Sequence, residues 1–283
     1  MNRMVYLATV AVALASVGCS KHEQRPAAER PITITTAIRG MEEQSAPQLE
    51  EDGSGAFADG DTFTLYVYGA DGSSSAIDYT LGATTLYWRE LPFAAEGTTV
   101  NFAACYPVQR PVEGRFGFDL EQASDPDLLV AAPIGVVAGT ERPVGLTFRH
   151  AMHRLVVAFS TTDADVALDA ITTVCRAKAS CTVDLTEGVL DTTGARTAAF
   201  TEQGARAAFL VVPQDPADVS LEIRLGDQIK RYRLDELAPA CGALAGGKQL
   251  TVKLGIRNGQ IQLDDCVIEG WGDQGTIEGE IIL

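Results

Sequence analysis

Apolar and polar residues alternate along much of this chain, and the first clear case lies between Pro31 and Arg39. Ile32, Ile34 and Ile38 share one parity there, and threonines occupy most of the positions between them. A period of two combined with β-branched side chains is typical of a β-strand with one buried face. The pattern therefore predicts a strand at the start of the folded region.

This predicted strand is isolated between two polar stretches. A polar leader runs from Ser20 to Arg30, and an acidic segment that we expect to be too polar to pack runs from Gly40 to about Asp61. A strand joined to the rest by such segments can leave its sheet, and the vacancy would expose apolar side chains and unpaired backbone groups that another strand could cover. Arg39 and Gly40, at its outer end, form an accessible point for proteolytic cleavage.

The first half of the chain continues with alternating runs separated by Gly and Pro. The run from Thr62 to Tyr68 alternates strictly and predicts a half-buried antiparallel strand, with Tyr66 and Tyr68 on the face expected to point outward. Asp71-Gly72 then predicts a turn. The further runs of this half are Ile77 to Leu81, Leu86 to Trp88, Thr99 to Tyr106 and Phe116 to Leu120.

The parity of the apolar positions changes in the middle of the chain. Leu146 and Phe148 are apolar at even positions, whereas Leu155 and Val157 are apolar at odd ones. A single unbroken strand would point one of these sets at solvent. The change predicts two strands with a bend or a bulge between them, and we place a domain boundary near residue 147.

The second half repeats this style, and Asn258-Gly259 predicts a tight hairpin near its end. Many short strands with Gly, Pro and Asn-Gly turns are typical of β-sandwiches. The predicted fold is therefore all-β, with two tandem β-sandwich domains of the transthyretin-like, Greek-key kind. The predicted strands of this half are Thr182 to Leu185, Arg196 to Phe200, Ala207 to Val212, Val219 to Leu225, Ile229 to Leu234, Leu250 to Ile256, Ile261 to Leu263, Val267 to Trp271 and Thr276 to Leu283.

The N-terminus is typical of an export signal. Arg3 supplies a positive charge, an apolar run extends from Val5 to Ala15, and Ser16-Val-Gly-Cys19 follows. The run is too short to cross a bilayer as a helix. A site of small residues ending in Cys resembles the lipobox of bacterial lipoproteins, in which Cys19 is acylated; an ordinary signal peptide cut near the same place is the alternative. The predicted organisation is a signal peptide (1–18), a lipidated leader (19–30), an N-terminal domain (31–147) and a C-terminal domain (148–283).

The net charge excludes some classes of partner, and the cysteine content limits the disulfides that the chain can form. A net charge of −16 argues against nucleic acid and against an anionic membrane surface, so membrane attachment would depend on the lipid alone. Six cysteines less Cys19 leave an odd number in a compartment that permits disulfides. Cys175 and Cys181 are close enough in sequence to bridge a short loop, and their spacing does not match a zinc site.

The sequence contains no strong motif for a catalytic, phosphate-binding or metal-binding site. The stretch from Gly242 to Gln249 approaches a phosphate-binding loop, but Gln249 stands where a magnesium-binding hydroxyl is needed and a strand pattern follows. His150 and His153 would point to opposite sides of a strand, and no carboxylate motif accompanies them. Paired carboxylates such as Asp125 and Asp127 are typical of solvated turns. We predict no enzyme, no cofactor and no metal site.

Several segments together resemble the fimbrillin family of bacterial surface pili. The resemblance covers roughly Pro31 to Leu283. Its motifs are the Phe-x-His segment within Leu146-Thr-Phe-Arg-His-Ala-Met-His-Arg-Leu155, the Pro-Gln strand end at Pro213-Gln214, and the closing strands Gly247 to Leu254, Ile268 and Trp271.

The resemblance implies assembly by strand exchange. Fimbrillin precursors travel as lipoproteins, are cut after an Arg, lose an N-terminal strand and accept the C-terminal strand of a neighbour. By position, the strand with Ile32, Ile34 and Ile38 would be removed by a processing protease cutting between Arg39 and Gly40. The donor strand would be Thr276 to Leu283, in which Ile277, Ile281 and Leu283 share one parity.

The favoured hypothesis is thus a structural subunit of a cell-surface fimbrium that supports adhesion. Its partners would be other pilus subunits, the outer membrane through its lipid, and the processing protease. Two alternatives remain open. One is a monomeric surface lipoprotein that binds glycan or a host protein, and the other is a pilus anchor or accessory subunit that does not polymerise.

Overall fold

The structure is a computed structural model that describes residues 26–38, 56–257 and 260–270, with only the backbone of the last range apart from Ile261. The chain is all-β, as the alternating pattern predicts. The strands of the first half are β1 (Pro31–Ile32), β2 (Ile34–Ile38), β3 (Thr62–Gly69), β4 (Ser74–Thr80), β5 (Leu86–Tyr87), β6 (Thr99–Tyr106), β7 (Arg115–Asp119), β8 (Leu129–Val137) and β9 (Val144–His150).

The second half adds ten strands, one short α-helix and two 3-10 turns, at Leu168–Ala170 and Pro216–Asp218, among the described residues. The helix α1 spans Leu234–Leu237. The strands are β10 (His153–Thr161), β11 (Thr172–Lys178), β12 (Ser180–Asp184), β13 (Val189–Asp191), β14 (Thr197–Gln203), β15 (Arg206–Val211), β16 (Ser220–Leu225), β17 (Gln228–Arg233), β18 (Lys248–Arg257) and β19 (Gln260–Gly270). No helix in the described part of the chain has the length and apolar character needed to cross a membrane.

The N-terminal half is built on a six-stranded sheet in the order β2-β9-β8-β6-β3-β4. Strand β8 pairs with β9 over Leu129–Ala131 only, and its register with β6 shifts between Phe102 and Ala104. Pro133 lies in this irregular stretch and has no partner in either register, so its missing N–H costs no ladder hydrogen bond. The sheet bends here, and the core of this half lies on its inner face, with Phe63, Leu65 and Val67 fully buried.

The C-terminal half contains two four-stranded sheets that enclose a second core. Their orders are β15-β10-β18-β19 and β14-β11-β16-β17. Strands β10 and β18 pair in parallel, whereas β18 and β19 form an antiparallel pair in which Arg257 lies opposite Gln260. Where the sequence predicts two separate closing strands, β19 is one strand, and a register shift between Lys253 and Leu254 absorbs the break in the pattern. The donor segment Thr276 to Leu283 and Trp271 lie outside the described residues.

A third core joins the two halves. Strand β7 of the first half pairs with β12 of the second, giving a three-stranded sheet in the order β13-β12-β7. Phe116 and Phe118 of β7 and Val183 of β12 pack in this core. Tyr66 also belongs to it and is buried, so the prediction that Tyr66 faces solvent is wrong. The reason is tertiary, because the three-stranded sheet β13-β12-β7 covers the face of β3 that alternation alone leaves open.

The predicted break in the middle of the chain is confirmed. Strand β9 ends at His150 and β10 begins at His153, and the buried parity changes between them. Ala151 and Met152 form the connection and are both buried. Residue 147 lies inside β9, and the division into two domains at that position stays a prediction.

Three strands escaped the sequence analysis. These are β8, β11 and β13. Strand β8 contains Pro133 and Gly135, which are depleted in strands, so local propensity argues against it. Strand β13 has only three residues, too few for alternation to be recognised. Strand β8 pairs with β6 and β11 pairs with β16, which are distant in sequence, whereas β13 pairs with β12 across a short turn.

Candidate functional site

The N-terminal strand, defined as residues 31–38 of β1 and β2, lies in the fold as one side of the first core. Ile32 and Ile34 are 5% and 6% exposed, and Ile38 is partly buried against the same core. The threonines between them face outward or are half-buried. Burial of an isoleucine side chain contributes about 1.5–3 kcal/mol, so Ile32 and Ile34 hold the strand in place with about 3–6 kcal/mol.

This strand connects two parts of the N-terminal half that do not otherwise pair. Strand β1 pairs antiparallel with β5, placing Ile32 opposite Leu86. Strand β2 pairs in parallel with β9, placing Ile34 opposite Val144. The Val144 N–H also donates to the Thr33 carbonyl oxygen at 2.8 Å. We call β5 and β9 together the N-terminal strand site.

Strand β2 is the edge of the six-stranded sheet. Its single ladder in the described part of the chain is the one with β9. Departure of the N-terminal strand breaks this ladder and the two-residue ladder between β1 and β5. After its loss, β9 would present a row of unpaired backbone groups.

The end of the leader is also docked. One Nη1 hydrogen of Arg30 is donated to the Gly139 carbonyl oxygen at 2.8 Å, and Nε lies 3.4 Å from a carboxylate oxygen of Glu141. The backbone N–H of Trp88 donates to the Arg30 carbonyl oxygen at 3.3 Å. Gly139 has a φ of +84°, and a Cβ built on it would lie 2.8 Å from the Cβ of Ala27. A glycine is therefore required for the leader to approach this closely.

Beneath the strand, aromatic rings fill the core. Phe148 of β9 packs edge-on against Phe63 and Phe57, with ring centroids 5.4 and 4.7 Å apart. Phe57 also contacts the ring of Tyr106 at 5.6 Å. The expectation that the acidic segment is too polar to pack as far as Asp61 is wrong at Phe57, because one aromatic side chain within it reaches the core.

The predicted site residues divide into three groups. Ile32, Ile34 and Ile38 are placed together on one face of the strand, as their parity indicates. Cys175 and Cys181 are described but lie apart. The remaining positions, which are the lipidation site Cys19, the cleavage site Arg39 and Gly40, and the donor residues Ile277, Ile281 and Leu283, lie outside the described residues.

The bridge between Cys175 and Cys181 is not formed in this structure, where both thiols are free. Strands β11 and β12 follow one another with only Ala179 between them and pair with different sheets, so the chain does not fold back. Six residues of extended chain span roughly 20 Å, whereas a disulfide needs Cα atoms within about 7 Å. Cys175 belongs to the C-terminal core and Cys181 to the third core. Burial raises the pKa of each thiol to about 12.

The two histidines of the Phe-x-His segment are both buried between the halves. His150 Nδ1 lies 2.8 Å from a carboxylate oxygen of Asp127. His153 Nδ1 lies 3.0 Å from the Ala245 carbonyl oxygen, while its Nε2 is buried without a hydrogen-bond partner. Burial lowers the pKa of His153 to about 4, against the smaller effect of the Ala245 carbonyl. The histidines therefore fasten the connection between β9 and β10 to neighbouring loops.

The glycine-rich turn before β18 packs against that same connection. The Gly247 N–H donates to the Met152 carbonyl oxygen at 2.9 Å, and a Cβ built on Gly246 would lie 2.5 Å from the Ala151 carbonyl oxygen. A strand follows from Lys248, as predicted. The glycines allow close packing of two backbone segments.

Sequence reasoning missed the residues that complete the site. Gly139 and Phe57 lie in loops, where alternation carries no signal, and Trp88 ends the predicted run from Leu86, which gave no sign of its role in the site. Trp88 donates its indole N–H to the Thr140 carbonyl oxygen at 3.2 Å and thereby ties the two sides of the site together. An aromatic residue such as Phe57 in an otherwise acidic stretch is the one signal that could have been found.

The fold and the site define a class of protein. It is an all-β protein in which the N-terminal strand closes the edge of a sheet. A model of the Fimbrillin-like family matches residues 50–271, and the chain belongs to this family. The matched region includes β5 and β9 but neither the N-terminal strand nor the residues after 271. Among curated proteins, none matches the chain.

Solved structures with the same fold include three proteins from Bacteroides species. A candidate cell adhesion protein from Bacteroides uniformis is 17% identical, with 76% of this chain and 93% of that chain covered and a TM-score of 0.60. A second candidate cell adhesion protein, from Bacteroides ovatus, is 18% identical over 86% of this chain and 98% of that one, with a TM-score of 0.58. A candidate adhesin from Bacteroides thetaiotaomicron is 11% identical, with coverages of 87% and 97% and a TM-score of 0.52. At these sequence identities the comparisons show a shared fold.

Proposed function

We propose that this protein is a structural, non-catalytic subunit of a cell-surface fimbrium that supports adhesion and assembles by strand exchange. It would be exported as a lipoprotein acylated at Cys19 and held in the outer membrane by that lipid. A protease would cut between Arg39 and Gly40, and the N-terminal strand would then leave. Membership of the fimbrillin-like family supports the fimbrial role.

One observation carries the strand-exchange part. The N-terminal strand is a peripheral strand whose apolar side chains are nevertheless buried, since Ile32 and Ile34 are 5% and 6% exposed. Its removal would leave Val144, Leu146 and Phe148 of β9 without their cover. An incoming strand with apolar residues at every second position would restore both the ladder and the burial. The C-terminal sequence offers Ile277, Ile281 and Leu283 on one parity, with Gly279 between the first two.

The proposal is tested with the purified precursor and an arginine-specific protease. Cleavage after Arg39 should be followed by ladders of oligomers that resist SDS. The variant Arg39→Ala should remain monomeric under the same treatment, and a chain ending at residue 275 should be cleaved without forming ladders. Assembly by strand exchange would be contradicted if the chain with its natural C-terminus is cleaved after Arg39 and stays monomeric at all concentrations.

A non-polymerising pilus anchor is the second candidate. The contacts of Ala27 and Arg30 with the loop at Gly139 extend the docked segment beyond the strand itself, which favours retention of the N-terminus. An anchor would keep residues 26–38 in place after maturation. N-terminal sequencing of the protein isolated from cells distinguishes the two, because a subunit begins after Arg39 and an anchor begins at Cys19.

A further inference from the structure

One sheet of the C-terminal half carries a charge opposite to that of the whole protein. The chain has a net charge of −16. The sheet β14-β11-β16-β17 nevertheless has more basic than acidic residues on its strands. Its basic residues are Arg176, Lys178, Arg224, Lys230, Arg231 and Arg233, and its acidic residues are Glu202 and Glu222.

The strand register brings four of these arginines to the outer face. Ser220 lies opposite Arg233 on one side and Arg176 on the other, and Glu222 lies opposite Arg231. Arg224 is two residues from Glu222 and therefore points to the same face. Neighbouring strands are about 4.8 Å apart and alternate residues on one strand about 6.7 Å apart, so the four side chains start within one compact patch. All four arginines are exposed.

A single carboxylate organises the centre of this patch. Glu222 accepts hydrogen bonds from Nε and Nη2 of Arg224, at 2.7 and 2.5 Å, and from Nε of Arg231 at 2.6 Å. These hydrogen bonds, first from Arg224 and then from Arg231, lower the pKa of Glu222, so it stays ionised and holds both guanidinium groups. Because two cations share one anion, the cluster keeps a positive charge.

The two outer arginines differ in their pairing, and only Arg176 adds an unpaired positive charge to the patch. Arg233 donates to both carboxylate oxygens of Asp235, at 3.0 and 2.6 Å, at one end of the patch. Arg176 forms no ion pair within the described part of the chain. Its guanidinium group is therefore available to a ligand, as are the Nη groups of Arg231.

The surroundings of the arginines decide what kind of ligand fits. The face is polar, and Ile229, 52% exposed, is the one large apolar side chain more than half exposed on the described residues of these strands. A protein partner would find little apolar surface to bury. Hydroxyl and amide groups surround the arginines instead, on Thr172, Thr201, Gln203 and Ser220.

We propose that this outer face, which we call the arginine face, binds an acidic polysaccharide. Guanidinium groups donate paired hydrogen bonds to carboxylate or sulfate oxygens, and the hydroxyl and amide groups match sugar hydroxyls. Charge complementarity selects an anionic chain over a neutral one. The arginine face lies in the C-terminal half, so this role is separate from strand exchange at the N-terminal strand site.

The test uses the mature protein and two double variants that lose the same charge. Arg176→Gln with Arg231→Gln removes two arginines of the face, whereas Arg142→Gln with Arg206→Gln removes two exposed arginines elsewhere. Binding of fluorescent oligoalginate and of heparin fragments is measured by anisotropy, with dextran as the neutral probe. Urea unfolding of all three proteins checks that the fold is retained.

The parent protein should bind both anionic probes and not dextran. Affinity should fall at least about tenfold in the first double variant and stay within about twofold of the parent in the second. Raising the salt from about 50 to about 500 mM should weaken parent binding strongly and the first variant little. Equal losses in the two variants, binding of dextran, or absence of binding to either acidic probe would overturn the proposal. Salt-sensitive self-association that only the first variant loses, without binding of either probe, would assign the face to contacts between copies and also overturn it.

Discussion

Phe148 packs against Phe57 with ring centroids 4.7 Å apart, while Phe148 is also the residue paired with Ile38 at the end of the N-terminal strand. The chain therefore departs from the sheet and returns to the core at the same place. Cleavage between Arg39 and Gly40 falls between these two points. Such a cut would break the covalent link between the N-terminal strand and the rest of the chain, while Phe57 would stay packed in the core.

Substitution of Ile34 tests how firmly the strand is held. Ile34→Ala removes a buried side chain opposite Val144 and should lower the free energy of unfolding by about 2–4 kcal/mol. Urea unfolding followed by tryptophan fluorescence gives this value. Ile229→Ala, at an exposed position, is the matched control and should change the free energy by less than about 0.5 kcal/mol. Equal effects of the two changes would show that the strand is not part of the core.

Substitution of Gly139 tests the docking of the leader. Gly139→Ala forces a side chain into a left-handed backbone conformation and brings its Cβ to 2.8 Å from the Cβ of Ala27. Gly97 has nearly the same φ, +83°, but has nothing near its Cβ position, so Gly97→Ala reports the backbone strain alone. That strain costs about 1–2 kcal/mol. We expect Gly139→Ala to destabilise by more than Gly97→Ala and to expose the leader to proteolysis near Arg30, whereas Gly97→Ala leaves the leader protected.

The buried His153 makes stability depend on pH. Its pKa is about 4 in the folded protein and near 6.5 when unfolded, so the unfolded state takes up the proton first. Stability is fully present above pH 6.5 and falls by about 3 kcal/mol as the pH decreases to about 4. His153→Asn keeps a donor for the Ala245 carbonyl oxygen without a titrating ring. Urea unfolding at several pH values should show a smaller loss in this variant, and identical pH profiles for the two proteins would contradict the assignment.

The cysteines should differ in their reaction with iodoacetamide. Burial raises the pKa of Cys105, Cys175 and Cys181 to about 12, which leaves almost no thiolate at neutral pH. Cys241 is partly exposed, and its pKa is raised less, again through burial. Peptide mapping of the folded protein should find Cys241 alkylated well before these three, and all four alkylated in urea. A Cys175–Cys181 disulfide in a non-reducing peptide map would contradict the free thiols of this fold.

Alternation gave most of the strands because it is a local consequence of burying one face. Thr99 to Tyr106 is predicted with both ends correct, and the change of parity between Phe148 and Leu155 locates the break at Ala151 and Met152. The same rule fails at Tyr66, where a second layer covers the outer face. It also fails at β8, where neighbouring strands hold a segment that contains Pro133.

The sequence by itself determined that the chain is all-β and that Ile32, Ile34 and Ile38 lie on one face of a strand, because a period of two depends only on residues close in the chain. Tertiary structure alone decided that this strand bridges β5 and β9, that Cys175 and Cys181 belong to different cores, and that four arginines gather on one sheet. These features depend on which distant strands become neighbours. Pairing partners are chosen by the summed burial of the whole core, and no local pattern encodes that sum.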